Sequence, residues 1–412
     1  MKVIHLSYSN FIGGASIAAS RIHHALIKQN IDSRMWVNET NVQQRNNFQF
    51  NIKLNNFFIK TRRFITWPLL KTLSTDIPIH HSISLLPSKW VKKINDSDVD
   101  IVHLHWVHRE MLSIKNISEI KKPIVWTLHD MWAFCGAEHY TNNFRWREGY
   151  QFDNRPNYEI GFDLNRWTWE RKKKYWKDPI KIVTPSKWLA KCVSESALMS
   201  NWPVSVIANP IDVDFWKPLD KMSARDRFNL PKHTPLLLFG AIGGSKDPRK
   251  GFDLLMEALS FIEKNLQIKD LEIVVFGEKS PKSEIKTNFL IHYMGHLKEK
   301  ADLLNLYNAA DAVVIPSRQD NLPNIAVESL SCSLPIVAFN TGGLVDLVDH
   351  QKTGYIAKSF DVKDLAKGIK WVLTNNENKK LMINARKKAI KEFSYNNISK
   401  KYKDLYKKII NK

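Results

Sequence analysis

Short apolar runs alternate with amphipathic stretches along most of the chain. Runs such as Ala312–Ile315 and Ile336–Phe339 are continuously apolar, whereas the segments between such runs repeat apolar residues every three or four positions. The first pattern is typical of strands covered on both faces, and the second is typical of helices packed on a sheet. The pattern therefore predicts an α/β protein built on parallel sheets.

The predicted strands fall into two groups, separated by an Asn-Pro turn in the stretch ANPIDVDFWKP that is typical of a linker. A chain of 412 residues is long for one domain. We therefore expect domains at residues 1–210 and 211–390, followed by a basic amphipathic helix at 391–412. The predicted strands are Lys2–Leu6, Arg34–Val37, Ile101–Leu104, Pro123–Thr127, Lys181–Thr184, Val204–Ile207, Pro235–Phe239, Glu272–Phe276, Ile291–Met294, Ala312–Ile315 and Ile336–Phe339.

The loop PSRQDN at 316–321 follows a predicted strand and precedes a predicted helix, which is where such sheets bind ligands. We expect Asn321 to cap this helix, whose N–H groups would face an anionic or polyhydroxylated ligand. Asp320 and Glu328 lie about two helical turns apart, so both should project from one face. Carboxylates spaced in this way suit the hydroxyl groups of an extended ligand. They equally suit a helix cap and a surface ion pair, and spacing alone leaves both readings open.

A second loop, which follows the strand Pro235–Phe239, combines glycines with cations at the start of a helix. Such a loop lets the backbone approach a diphosphate closely and adds fixed positive charge. It lacks the Walker pattern GxxxxGK[ST], and a merely solvated run of charge remains the alternative. The residues concerned are Gly240, Gly243, Gly244, Lys246, Arg249 and Lys250.

In the first half, polar residues again follow predicted strands. Gly14 lies in a Gly-Gly loop before a helix, and His129 follows the strand Pro123–Thr127; a simple turn and a structural histidine are the alternatives. His105 and Arg109 follow the strand Ile101–Leu104 and should face the edge of the sheet where ligands bind. We expect no metal at His103, His105 and His108, because the sequence shows no second group of ligands beside them. Asp98 and Asp100 precede a strand, which favours simple solvation over a metal-diphosphate site.

The charge of the chain indicates an anionic partner. Its net charge is +21, which suits nucleic acid, a membrane surface or a phosphorylated substrate. The basic and aromatic stretch Phe57–Lys71 predicts either a helix seated on anionic lipid or a surface helix covering the first domain. No apolar run approaches the ~20 residues that span a bilayer, and the three cysteines are far apart. We therefore expect a cytoplasmic protein, peripheral on the inner face of the plasma membrane if that helix binds lipid.

The stretch PSRQDNLPNIAVESLSCSLPIVAFNTGGLVDLV closely resembles the signature of the GT-B-fold retaining glycosyltransferases of family 4, of the bacterial surface-polysaccharide type. That family has Glu-x7-Glu where this chain has Asp320-x7-Glu328. The resemblance implies two Rossmann-like parallel-sheet domains facing each other across a cleft, with the last helix crossing back to the first domain. Relatives often carry Gly-Cys-x-x-Cys-Pro where this chain has GYQFDNRP, and an arginine where this chain has Gly243-Gly244; Lys246 is a possible substitute for that arginine.

The resemblance also implies roles for particular residues. It places the transferred sugar at Asp320 and His129, and the acceptor near His105 and Arg109. The residues that it implies for binding the donor are Gly14, Arg249, Lys250, Asn321, Leu322 and Glu328.

The implied reaction is transfer of a sugar from a nucleotide diphosphate sugar to a hydroxyl group, with retention at the anomeric carbon and without a metal or another cofactor. A glycan or lipid-linked glycan of surface-polysaccharide, lipopolysaccharide or O-antigen biosynthesis is the expected acceptor, and nucleic acid is not an expected partner. Two alternatives remain: a non-catalytic binder of anionic polymers, and a nucleotide-sugar epimerase of the same fold.

Overall fold

The computed structural model describes residues 1–40, 56–75, 78–240, 247–266, 268, 270–280, 287–375 and 379–411, without the side chains of 56–60 and 63. The chain divides into two compact units. Unit 1 comprises Met1–Ala208 with Ile398–Lys412, and unit 2 comprises Asn209–Asn397. Gly243, Gly244 and Lys246, which the sequence analysis singled out, lie outside the described residues.

Unit 1 is built on a six-stranded sheet in the order β2-β1-β4-β5-β7-β8, in which every pair is parallel. Its strands are β1 Lys2–Ser9, β2 Asp32–Glu39, β4 Ile101–Leu104, β5 Ile124–Thr127, β7 Lys181–Thr184 and β8 Val204–Val206, and a separate antiparallel pair joins β3 Leu73–Thr75 to β6 Glu159–Gly161. Its helices are α1 Gly13–Ile27, α2 Asn56–Leu70, α3 Trp90–Asn95, α4 Ile114–Ser118, α5 Arg145–Glu148, α6 Leu164–Tyr175 and α7 Lys187–Glu195.

Unit 2 is built on a second six-stranded parallel sheet, in the order β11-β10-β9-β12-β13-β14. Its strands are β9 Leu236–Gly240, β10 Glu272–Phe276, β11 Ile291–Gly295, β12 Ala312–Ile315, β13 Ile336–Phe339 and β14 Gly354–Ala357. Its helices are α8 Lys221–Asp226, α9 Phe252–Phe261, α10 Lys300–Ala309, α11 Asn324–Ser331, α12 Leu344–Leu347, α13 Val362–Asn375 and α14 Lys380–Lys388, with a 3-10 turn at Pro248–Lys250 and π-helical turns at Ile262–Leu266 and Ala389–Phe393.

The predicted strands are confirmed, with changes of a few residues at their ends. Strands β12 and β13 are fully buried, as expected for a sheet covered on both faces. The final helix, α15 at Tyr395–Ile410, places Tyr402 and Tyr406 in the core of unit 1. Among the described residues, no helix combines the length and the apolar character needed to cross a bilayer.

Asp98 and Asp100 lie at the amino ends of the strands and are held there by basic groups. Asp98 accepts from Lys2 Nζ at 2.7 Å and from Arg34 at 2.9 Å, and Asp100 accepts from the backbone N–H of Lys2 at 2.8 Å. The prediction that this pair of acids belongs to the solvated entry of a strand is confirmed.

A buried arginine holds together the segment that contains GYQFDNRP, residues 149–156. The guanidinium of Arg145 donates to both carboxylate oxygens of Asp163, at 3.1 and 2.6 Å, and to Asn154 at 3.1 Å. It also lies 4.6 Å from the ring centroid of Tyr150 and forms an ion pair with Glu159 at 3.4 Å. Charge-assisted hydrogen bonds from one arginine thus connect several parts of this segment.

We therefore expect Arg145→Met to destabilise the protein by about 3–5 kcal/mol, because it leaves buried carboxylates without their partner. Urea unfolding followed by tryptophan fluorescence measures the loss. The matched control is Arg147→Met: Arg147 is 46% exposed and pairs with Glu195 at the surface, so its loss should cost at most about 1 kcal/mol. Equal, small effects for both variants would contradict the assignment.

Candidate functional site

The order of strands in unit 2 locates a ligand site. The chain runs outward from β9 in both directions, through β10 and β11 on one side and β12 to β14 on the other. Ligands of such sheets bind beyond the carboxyl ends of the strands, at the point where the strand order reverses. Here that point lies between β9 and β12, and the loops after these two strands carry Lys250 and Asp320.

The turn before α9 brings two cations to this point. Asp247 accepts a hydrogen bond from the N–H of Arg249 at 3.1 Å and pairs with the Arg249 guanidinium at 2.6 Å. Gly251 ends the turn with φ of +67°, and a Cβ there would lie 1.9 Å from the carbonyl oxygen of Pro316. Glycine is therefore required by both its backbone conformation and its neighbour, and the turn packs directly on the loop after β12.

Lys250 and Asp320 are in direct contact. The Lys250 ammonium lies 2.5 Å from Asp320 Oδ2, although the two residues are 70 positions apart in the chain. Both are largely buried, with side chains 23% and 10% exposed. A charge-assisted pair in such a place is strong, and it joins the residues that we predicted for the diphosphate and for the transferred sugar.

Arg318 fastens the two loops to each other. Its N–H donates to the carbonyl of Arg249 at 2.7 Å, and its guanidinium donates to the carbonyl of Pro248 at 2.8 Å. The same guanidinium forms a bidentate pair with Asp253 at 2.8 and 2.5 Å, and this pair lowers the pKa of Asp253. The loop after β12 is thereby held against the start of α9.

The prediction that Asn321 caps a helix is wrong. Helix α11 begins at Asn324 with Pro323 at the N-cap, and Asn321 and Leu322 lie buried in the loop. Proline disfavours the helical conformation in the residue before it, here Leu322, so the helix cannot begin ahead of Pro323. Asp320 therefore lies outside the helix, and the argument that it shares a helical face with Glu328 does not apply.

Glu328 is a buried acceptor on α11. It is 6% exposed, and Tyr307 on α10 donates its hydroxyl to Glu328 Oε2 at 2.6 Å. Tyr307 in turn packs against Trp216 and Phe276. Glu328 is thus a buried residue that is held from within the unit, not one on the surface.

Unit 1 has its own reversal of strand order, between β1 and β4. Helix α1, which follows β1, begins at Gly13, so Gly14 lies in its first turn and not in a loop before it. Ile12 at the N-cap offers no side-chain hydrogen bond, and the first turn contains no acidic residue. A helix start of this kind is compatible with an anionic ligand.

Arg109 lies after β4, on the side of the reversal opposite α1. Its guanidinium lies 5.2 Å from the ring centroid of Tyr8 and 5.5 Å from that of Trp106, and its backbone has a left-handed φ of +54°. Its Nε is buried without a hydrogen-bond partner among the described residues. Arg109 is therefore a half-buried cation, held by two aromatic rings, at the edge where a ligand is expected.

The expectation that His105 meets the acceptor directly is wrong, because His105 is only 1% exposed. Its ring lies between those of His5 and His129. His129 follows β5 and is half-buried, and burial lowers its pKa to about 4. His129 is therefore neutral at pH 7.

The reason that we gave for excluding a metal is also wrong, since the fold brings further ligands to these histidines. Two groups of potential metal ligands form in unit 1, and the ligand atoms within each group lie within 4.8 Å of one another. His139 nevertheless bridges Asp130 and Ser82, at 2.6 and 2.9 Å, and Ser82 is 6% exposed. The group that contains His139 therefore holds a loop in place. That the protein binds no metal stays a prediction. The two groups are His5 with His103 and His105, and His108 with Asp130 and His139.

Comparison with known proteins matches each unit to a family. A model described as Glycosyltransferase Family 4 matches residues 12–215, and a model described as Glycosyl transferases group 1 matches residues 223–389. Each unit of the chain therefore carries a glycosyltransferase-type domain. The predicted fold class, with two Rossmann-like parallel-sheet domains, is thereby confirmed.

Individual relatives of these glycosyltransferase domains are distant. A D-inositol 3-phosphate glycosyltransferase of Saccharomonospora viridis is 24% identical over 222 residues, so that the match spans half of this chain and half of that relative. The crystal structure of a glycosyltransferase from Rickettsia africae has a TM-score of 0.66 at 18% identity, covering 99% of this chain and 98% of that one. HepE of Anabaena, solved with UDP and glucose, has a TM-score of 0.64 at 16% identity, covering 98% and 99%.

Tyr307 and Arg318 support this candidate site, but neither was predicted from the sequence. Arg318 stood within the loop that we singled out, but its partners lie about 70 residues earlier. Tyr307 lies on α10, where an aromatic residue reads as ordinary core. A sequence feature that could have indicated Tyr307 is its hydroxyl group, on the helix that precedes the helix with the buried carboxylate of Glu328.

The buried histidines of unit 1 predict a loss of stability in weak acid. Burial lowers the pKa of His129 to about 4 and that of His23 to about 3, and it places the pKa of His5 and His105 well below 6.5. The unfolded chain therefore binds more protons below pH 6.5, and stability falls as the pH drops from 7 to 5.

Urea unfolding at several pH values, followed by the tryptophans that lie mostly in unit 1, measures this dependence. Each such histidine contributes up to about 1.4 kcal/mol per pH unit. In the variant His129→Asn, the free energy of unfolding should differ between pH 7 and pH 5 by about 1–2 kcal/mol less than it does in the native chain. A stability that is flat over this range would contradict the burial of neutral histidines.

Proposed function

We propose that the protein transfers a sugar from a nucleotide diphosphate sugar to a hydroxyl group of an acceptor, with retention of anomeric configuration. The observation that carries the proposal is the contact of Lys250 with Asp320 at the strand reversal of unit 2. A cation and a carboxylate side by side there suit the two ends of such a donor: the diphosphate accepts hydrogen bonds, and the sugar hydroxyls donate them.

In this proposal, the diphosphate draws Lys250 toward itself, and Asp320 becomes available to a sugar hydroxyl. Departure of the nucleotide diphosphate builds up negative charge, which Lys250 and Arg249 stabilise as fixed cations. They supply charge that a metal ion supplies in other enzymes, so we propose transfer that is independent of a metal and of other cofactors. The leaving phosphate takes the proton of the acceptor hydroxyl on the same face of the sugar, while Asp320 and His129 hold the sugar.

The remaining donor contacts follow the same logic. Glu328, fixed by Tyr307, would accept hydrogen bonds from the ribose hydroxyls, and Asn321 and Leu322 line the loop beside it. Gly14 lies in the first turn of α1, and we propose that the amino end of this helix also contacts the donor. Support for a nucleotide sugar comes from HepE of Anabaena, which has a similar fold and was solved with UDP and glucose.

We further propose that the acceptor carries a negative charge near the reacting hydroxyl. Arg109 is a half-buried cation with an unpartnered Nε, and such a group suits a phosphate. A lipid-linked glycan of surface-polysaccharide biosynthesis contains such a phosphate. The S. viridis relative, named for D-inositol 3-phosphate, offers a second phosphorylated candidate.

Helix α2 supports contact with an anionic membrane, which would place a cytoplasmic enzyme at the inner face of the plasma membrane. Thr66 is buried against unit 1, whereas Phe64, Ile65 and Trp67 are 75, 62 and 57% exposed. The Lys71 ammonium lies 5.4 Å from the ring centroid of Trp67. Exposed aromatic residues beside cations are typical of helices that lie in the interface of a bilayer.

The donor site is tested with Lys250→Ala and Asp320→Asn. Both variants should lose transfer by at least about 100-fold, since each removes a group that contacts the transition state. Lys250→Ala should also lose the thermal stabilisation that a panel of nucleotide diphosphate sugars gives the native chain. The measurements are sugar transfer with the best donor of that panel and the shift of Tm on addition of that donor.

The matched controls are Lys387→Ala and Asp226→Asn, which change exposed residues elsewhere in unit 2. Both should keep transfer and donor binding. Full turnover in either site variant would sink the assignment of the site. Release of a free, altered nucleotide sugar without an acceptor would favour the epimerase. Tight, salt-sensitive binding of an anionic polymer without donor binding would favour the non-catalytic alternative.

Membrane contact is tested by sedimentation with vesicles of phosphatidylcholine and phosphatidylglycerol. The double variant Phe64→Ser and Trp67→Ser should bind at least about tenfold more weakly, because each aromatic side chain buries apolar area worth about 1.5–3 kcal/mol. Its matched control is Ile383→Ser, which removes an apolar residue 51% exposed in unit 2. Equal binding by all three proteins would rule out α2 as the contact.

A further inference from the structure

A chain of three histidine rings crosses unit 1 and ends at His129. His5 Nδ1 lies 2.9 Å from His105 Nε2, and His105 Nδ1 lies 3.2 Å from His129 Nε2. Both distances fit hydrogen bonds, and the planes of consecutive rings are inclined by only 18° and 29°, so the ring nitrogens can meet edge to edge. The three residues come from the neighbouring strands β1, β4 and β5 or from just beyond their carboxyl ends. His5 and His105 are buried, so a ligand would meet the chain only at its partly exposed end, His129.

Each ring of this chain carries one proton at neutral pH. Burial drives the pKa of His5 and His105 well below its usual value, and it lowers the pKa of His129 to about 4. A neutral imidazole has one nitrogen that donates and one that accepts. Each of the two hydrogen bonds therefore joins a donor nitrogen to an acceptor nitrogen, and the direction of one bond sets the direction of the other.

The buried end of the chain decides that direction. His5 Nε2 is buried and has no hydrogen-bond partner among the described residues. An orphaned N–H is rarer in protein interiors than an orphaned acceptor and carries the full cost of desolvation. The proton of His5 therefore lies on Nδ1, which donates to His105 Nε2. His105 must then carry its own proton on Nδ1 and donate it to His129 Nε2.

We propose that His5 and His105 are positioning residues, which hold His129 in the tautomer with its proton on Nδ1 so that the ring meets the donor sugar as an N–H donor. A ring fixed in this way donates a hydrogen bond to a sugar oxygen. It does not accept one from a sugar hydroxyl, because its Nε2 already accepts from His105. The tautomer rests on the geometry of unit 1 alone. Its consequence for transfer rests on the proposed function.

His103 provides a matched control from the same buried layer. It lies two residues before His105, and its two ring nitrogens contact Tyr406 at 2.6 Å and Thr127 at 2.7 Å. It is as deeply buried as His105 but hydrogen-bonds neither His105 nor His129. A change at His103 therefore disturbs the packing of the layer without removing a link of the chain.

The test is 15N NMR of the full chain labelled at histidine, in which the signals of His129 are identified by their loss in His129→Asn. The native protein should show the proton of His129 on Nδ1. His105→Phe should give a mixture of both tautomers, with kcat lowered about tenfold, equal to about 1.4 kcal/mol, and with the donor KM within about twofold. His105→Gln, whose amide can donate to Nε2, should restore the single tautomer and most of kcat.

His103→Gln should leave the tautomer and kcat unchanged, and the Tm of each variant separates these effects from loss of structure. A proton on Nε2 of His129 in the native protein would overturn the proposal, and so would an unchanged single tautomer in His105→Phe. If the native chain transferred no sugar to any acceptor, the proposed function would fail, while the NMR result would still decide the tautomer.

Discussion

The contact between Lys250 and Asp320 is the interaction on which unit 2 depends for its candidate chemistry. It joins the two loops that leave the sheet on either side of the strand reversal. A carboxylate as deeply buried as Asp320 is costly unless it is paired, and Lys250 supplies the charge that balances it. In the proposed reaction each group binds a different part of the donor: Lys250 binds the diphosphate and Asp320 binds the sugar.

Close packing of backbone makes this pair possible. Gly251 meets the carbonyl of Pro316, and at Gly342, which has φ of +55°, a Cβ would lie 2.2 Å from the carbonyl of Asp320. Side chains at these positions would force the loops apart and separate the two charges. Arg318 adds hydrogen bonds across the same junction. The loops are thus placed by steric fit, and their charges are brought together as a consequence.

Local patterns in the sequence predicted the strands and the loops after them, because an apolar run and its ending depend on neighbouring residues. Where the pattern was ambiguous, local reasoning failed: Asn321 has the chemistry of a helix cap, but Pro323 delays the helix. Contacts between distant segments were out of reach for the same reason. His5 lies 100 residues from His105, and nothing near either residue indicates the other. Arg145, similarly, has no neighbouring feature in the sequence that indicates its contacts with Asn154 and Asp163.

The most direct test of the account is a crystal structure of the protein with a bound nucleotide diphosphate sugar. The account predicts that the Lys250 ammonium leaves Asp320 for a phosphate oxygen, and that Asp320 accepts a hydrogen bond from a hydroxyl of the sugar. A donor bound elsewhere, or one bound while Lys250 and Asp320 remain paired and in contact with neither phosphate nor sugar, would contradict it.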